Sequence, residues 1–158
     1  MLFRSCVECH TQQVRPKGYG NDYERGWGRR RTVAQDYLRD YPVQLGSLRL
    51  GSDLANVSSR QPSAAQLLKL LYNPRSVNPD SRMPRHAFLF EKRVLASGAR
   101  PDPNALPLDS AEAGYQVIPT ADAHALVAYL MSLRADAQLF EAPFPVIPTN
   151  STAAVSAK

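Results

Sequence analysis

The sequence predicts a mostly α, single-domain fold, and three observations carry that expectation. Two stretches, Ser63 to Pro74 and Thr120 to Asp136, repeat apolar residues at helical spacing. No alternation of apolar and polar residues persists beyond a few positions, so no strands are expected. A chain of 158 residues with 44% apolar and 21% charged content can bury one modest core. Its 13 prolines and 8 glycines imply long turns and extended connections around the helices.

Composition excludes several roles. Lysine and arginine (19) outnumber aspartate and glutamate (14), giving a formal charge of +5 that favours an acidic partner. The aromatics are scattered rather than interleaved with a basic stripe, so nucleic acid is not an expected partner. The longest apolar run, around Ala125 to Met131, is too short to cross a bilayer, and Met1-Leu2-Phe3-Arg4 lacks the apolar centre of a signal peptide. No carboxylate pair, nucleophile with its base or phosphate loop is visible. Catalysis by the isolated chain and a small-molecule substrate are therefore not expected.

The stretch "SCVECHTQQVRPKG", Ser5 to Gly18, holds both cysteines, Cys6 and Cys9, with His10 directly after the second. Three chemistries use such a pair: a redox dithiol, half of a zinc site, or covalent attachment of haem c. A dithiol should sit between a strand and a helix, whereas a Gly- and Arg-rich loop follows here. Zinc would have to draw its four ligands from two thiols and His10, His86 and His124, with no second close pair. Haem attachment uses every residue of the motif: each thiol adds to a porphyrin vinyl group, and His10 becomes the proximal iron ligand.

The remaining elements follow in order. Arg15, next to Pro16, is the candidate partner for a haem propionate, and Arg29, Arg30 and Arg31 read as a solvated run. Trp27 and Tyr72 are expected in the core or as pocket walls. Thr32 to Asp40 suggests a short helix. "SAAQLLKLLYNP" is a helix capped by Ser63 and stopped at Asn73-Pro74. In "NPDSRMPRH", Met83 before Pro84 lies in a polar loop rather than on an apolar helical face, which suits a distal iron ligand; His86 is its competitor. The last helix has Thr120 as N-cap and buries Ala123, Leu126, Val127, Leu130 and Leu133, with Met131 in the core and His124 on the surface. Residues 1–141 form the folded domain, and the Pro-rich 142–158 reads as a disordered tail.

In combination, "CVECHTQQVRP", "GWGRRRTVAQDYL", "YPVQLGSLRLGSDLANV", "YNPRSVNPDSRMP", "FLFEKR" and "GYQVIPTADAHALVAYLMSLRAD" resemble a class I cytochrome c domain. More narrowly, the chain resembles the monohaem subunit II of cbb3-type haem-copper oxidases. The resemblance implies a class I cytochrome c fold around one covalent haem c, with Cys6 and Cys9 as attachment sites and His10 and Met83 as axial ligands. It further implies an electron relay to the oxygen-reducing and other cytochrome subunits of a membrane oxidase, on the periplasmic face. A diffusible electron carrier, a haem peroxidase or gas sensor, and a zinc-bridged module are the alternatives. Two departures stand out. Ser52 occupies the place where the family has proline in Gly-Pro-Asp-Leu, so the carbonyl that meets the proximal imidazole is expected to be less rigidly held. The family also carries an anchoring helix and a longer segment ahead of the motif, while Met1 to Ser5 precede it here, so the first helix is expected to be truncated.

Overall fold

Residues 6–60, 63–107 and 114–135 are described by the structure, a computed structural model. Three complete α-helices form among the described residues, where the apolar periodicity placed two and Thr32 to Asp40 suggested a short third. Helix α1, Ala64–Tyr72, is capped by Ser63, whose hydroxyl accepts from the Gln66 N–H at 3.2 Å. It buries Leu67, Leu68 and Leu71. Asn73-Pro74 stops it, as expected, and Pro74 at once opens the short helix α2, Pro74–Val77, because proline needs no hydrogen-bonded N–H at a first helical position. Helix α3, Ala121–Ser132, starts at Thr120, whose hydroxyl accepts from the Ala123 N–H at 3.3 Å, and buries Ala123, Leu126, Val127 and Leu130.

Helices α1 and α3 pack together, and their apolar faces form one core with Val57, Leu89, Phe90, Leu106 and Val117. Tyr72 adds an edge-on ring contact to Phe90 at 5.2 Å. Met131 and Leu133 pack partly buried against this cluster, and His124 is exposed.

The expectation of a mostly α fold is corrected by the structure. Beyond helices of nine, four and twelve residues, the described chain runs in loops, short 3-10 turns and a two-stranded antiparallel sheet. Strand β1, Phe90–Val94, pairs with β2, Tyr115–Pro119, in a register that sets Phe90 opposite Pro119 and Val94 opposite Tyr115. Only Phe90 of β1 is buried, so "FEKRV" shows no alternation to read. The expected helix over Thr32 to Asp40 is a 3-10 turn, Ala34–Tyr37, with Pro42 close behind it disfavouring further helix. Prolines at 79, 84, 101, 103 and 107 withhold N–H donors along the later loops. Side chains organise the loops instead: Asp102 Oδ1 accepts from the Asn104 N–H at 2.8 Å, and Asn56 Oδ1 accepts from the Ala135 N–H at 3.1 Å. The tail at 142–158 and the truncated helix at Met1 to Ser5 lie outside the described residues.

Two predictions follow from this packing. Leu126→Ala should lower the unfolding free energy by about 2–5 kcal/mol, whereas His124→Ala should change it by less than about 0.5 kcal/mol, both read from denaturant titration. The second concerns Asp36, whose carboxyl is held below its ordinary value of 3.8 chiefly by the Arg30 hydrogen bond, against the opposing effect of burial. A folded-state value below the unfolded one means that this contribution is complete above the unfolded value and is lost as pH falls through the folded one. Asp36→Asn should therefore flatten the acid side of the stability profile, compared with wild type between about pH 6 and about pH 3.

Candidate functional site

The motif begins in a helical turn: the Cys9 and His10 N–H groups both donate to the Cys6 carbonyl, at 3.1 and 2.8 Å. That turn sets both thiols and the His10 ring on one wall of a cavity of about 910 Å³. The volume is of the order expected for a cofactor site. The rest of the lining includes Leu54, Val57, Leu67, Leu71, Leu126 and Leu130, and the loop carrying Met83, Pro84 and His86. Most of the lining surface is apolar.

Residues 49–55 hold the motif in place. The Gly51 N–H donates to the Cys9 carbonyl at 2.8 Å, and the Leu54 N–H to the Thr11 carbonyl at 2.7 Å. Between those two bonds the Ser52 carbonyl lies 2.7 Å from His10 Nδ1. A carbonyl only accepts, so Nδ1 carries the proton and the lone pair resides on Nε2. Gly51 permits this approach, because a Cβ there would lie 2.7 Å from both Nδ1 and Nε2. The carbonyl reaches the ring with Ser52 at this position.

Asp53, fully buried at 0% exposure, supplies the tie. Its Oδ2 accepts from the Thr11 hydroxyl at 2.5 Å and from the Gln13 N–H at 2.8 Å, while Oδ1 accepts from the Ala55 N–H at 2.8 Å. Arg49 lies 3.7 Å from Asp53 Oδ2 and pairs with Asp22 at 2.6 Å. Arg60 donates to the Asp53 carbonyl, and burial pulls its guanidinium below its ordinary value while the charge of Asp53 opposes that shift. The segment after the motif is also pinned to α3: Gln12 Nε2 donates to the Tyr129 hydroxyl at 3.1 Å. Burial raises the Tyr129 phenol, with the Gln12 hydrogen bond acting the other way.

The expected site residues thus fall in different places. Cys6, Cys9, His10 and Met83 share the cavity wall. Arg15 does not: its side chain is exposed, and its backbone N–H donates to Asp22 Oδ2 at 2.7 Å. Cavity-lining cations are Arg25, Arg60, Arg82 and Arg85, which sequence reasoning passed over. Arg25 stacks over buried Trp27 at 4.9 Å, and Arg49 lies over the same ring at 5.3 Å. Of the arginine run, Arg30 forms a two-pronged pair with Asp36 at 2.7 and 2.8 Å and does not line the cavity. Among the described residues, no three side chains of His, Cys, Asp or Glu converge as a metal site.

The family described as cytochrome c oxidase, mono-heme subunit/FixO, matches residues 2–116. The chain belongs to that family. No curated protein matches the sequence significantly. Membership identifies a cytochrome c of electron transport, a subunit of cbb3-type oxidases, which carries one haem in a membrane-associated complex. The match ends within β2, before α3 begins, yet Leu126, Tyr129 and Leu130 of α3 complete the cavity wall. No helix among the described residues is long and apolar enough to cross a membrane. The donor set fits the family's group: two thiols, an oriented imidazole with Nε2 available, a thioether and cationic side chains for carboxylates, around an apolar interior.

Asp53→Ala should strand the Thr11, Gln13 and Ala55 donors and cost about 3–5 kcal/mol of stability. Ser52→Ala keeps the only group of Ser52 used on His10, its carbonyl, and should change stability by less than about 0.5 kcal/mol. Denaturant titration gives the energies, and nitrogen NMR of the His10 ring should show the Nδ1–H tautomer weakened in Asp53→Ala only.

Proposed function

We propose that this chain holds one haem c covalently through Cys6 and Cys9, ligates its iron with His10 and Met83, and relays electrons to the oxygen-reducing subunit of its oxidase. The observation that carries this reading is the His10 ring, fixed by Ser52 on a cavity wall that both thiols and Met83 share. A bound haem supplies a one-electron couple between ferric and ferrous iron. The protein's part is to bind, orient and insulate. The Nδ1–H bond to Ser52 fixes the tautomer and ring angle of His10 and strengthens Nε2 as a donor. Met83, half-buried against the core, offers a soft, weak donor that favours the ferrous state. Arg60 and Arg25 give the cavity positive charge suited to two carboxylates, a role that Arg15 is not placed to fill.

The finer partner and location also belong to this reading. Thiol attachment of haem in bacteria takes place outside the cytoplasm in the family resembled, so the domain faces the periplasm. Leu38, Tyr41, Leu48 and Leu50 are exposed along one loop, and Leu50 also borders the cavity. An apolar stretch continuous with the cofactor's edge supports packing against the oxygen-reducing subunit there.

Exported with the maturation factors for thiol-linked haem, the ferric protein should show the weak near-infrared band of sulfur-to-iron charge transfer, and the ferrous form should refuse carbon monoxide. It should co-purify with oxidase subunits in mild detergent. Ready binding of carbon monoxide by the wild type would favour a ligand-binding haem protein, and a soluble haem-bearing monomer would favour a diffusible carrier.

A further inference from the structure

Cys6, Cys9 and His10 are held by the bonded turn of the motif, whereas Met83 sits in a loop far from it. The Met83 backbone N–H donates to the Ser81 hydroxyl oxygen at 3.3 Å, and Ser81 lines the same cavity. Further bonds carry this contact back to a helix. The Ser81 N–H donates to the Asn78 carbonyl at 3.0 Å, and the Asn78 N–H donates to the Pro74 carbonyl of α2 at 3.0 Å. Three bonds thus run from α2 to the Met83 backbone, and the last of them is made by a side chain.

The far end of the loop is fastened to the same place. The His86 N–H donates to the Leu71 carbonyl of α1 at 3.0 Å, and Arg85 Nε donates to Asn73 Oδ1 at 3.3 Å. Residues 78–86 therefore form a loop with both ends bonded to residues 71–74, where α1 gives way to α2. Pro79 and Pro84 each fix a φ angle within it, and Pro84 disfavours helical backbone at Met83. The prolines leave the peptide plane ahead of Met83 free to turn, and the Ser81 hydroxyl holds that plane by its N–H. A thioether is a weak donor to iron, so its bond is sensitive to how much freedom the loop surrenders on binding. A loop already fixed surrenders less.

We propose that Ser81 is a positioning residue for the distal ligand: its hydroxyl holds the Met83 backbone in the conformation that presents the thioether to the cavity, so that the sixth position of the iron stays filled. Ser81 acts through Met83 alone. The inference rests on the assignment of Met83 as axial ligand, and the experiment separates the two.

The experiment compares wild type, Ser81→Ala, Ser81→Thr and Met83→Ala, each haem-loaded. Loss of the sulfur band in Met83→Ala supports the assignment of Met83, and its survival there would overturn that assignment and the inference with it. The role of Ser81 is read from the affinity of the ferric protein for added imidazole, which binds only where the iron–sulfur bond has opened. Ser81→Ala should keep the sulfur band yet bind imidazole about fivefold more tightly than wild type, the factor that one ordinary hydrogen bond gives. Ser81→Thr retains the hydroxyl and should return to within about twofold of wild type. In the diamagnetic ferrous form, the Met83 amide should exchange its hydrogen faster in Ser81→Ala, while the amides of α3 exchange as in wild type. Equal imidazole affinity in Ser81→Ala and wild type, with the sulfur band lost in Met83→Ala, would overturn the role of Ser81 and leave that of Met83 standing. Tighter binding that Ser81→Thr shares, or that comes with faster exchange throughout α3, would overturn it as well, since either marks a general loosening rather than the loss of one bond to Met83.

Discussion

The buried carboxylate of Asp53 is the constraint on which the rest of the site depends. Thr11, Gln13 and Ala55 all donate to it, Arg49 offsets its charge, and its own carbonyl accepts from Arg60. A charge removed so completely from water is tolerable only with this many partners. Those partners come from both sides of the site, the segment after the cysteine motif and the loop that faces it. The carboxylate therefore acts as a pin between two segments that contain little regular structure. Its neighbour Ser52 inherits a fixed carbonyl, and His10 inherits a fixed ring.

This arrangement explains how a chain with short helices can build a cofactor site. Helices α1 and α3 supply an apolar floor through Leu67, Leu71, Leu126 and Leu130, but they carry none of the candidate ligands. Cys6, Cys9, His10, Met83 and His86 all lie outside those two helices. Precision in the loops comes from side-chain carboxylates and backbone bonds, with Asp22 repeating on a smaller scale what Asp53 does: it accepts from Arg49 and from the Arg15 N–H. Membership of the oxidase mono-heme family agrees with such a design, since an electron-transfer subunit gains from a rigid, dry pocket.

Much of this was legible in the sequence wherever one residue type carries one chemistry. The oxidase family could be read because the Cys-X-X-Cys-His motif and the stretches that follow it occur together, and Ser63 and Thr120 could be read as caps because the apolar periodicity beside them is strong. The sheet was not legible. Strand β1 buries a single residue, so its pattern is that of a charged loop, and pairing with β2 across a long connection leaves no local mark. Asp53 was legible only as a turn former, since its three donors are distant in sequence or contributed by backbone. Arg15 attracted attention by proximity to the motif, yet the chain turns its side chain outward, while Arg60 and Arg85 reach the cavity from segments far away.

The central claim is that this cavity closes around a haem bound through the two thiols of the motif. Mass analysis of the exported, matured protein tests it most directly. After denaturation and proteolysis, the peptide containing Cys6, Cys9 and His10 should carry the mass of one haem and have no thiol left to alkylate. A peptide of unmodified mass with both thiols alkylated, from protein matured beside a cytochrome c that does carry its haem, would contradict the account.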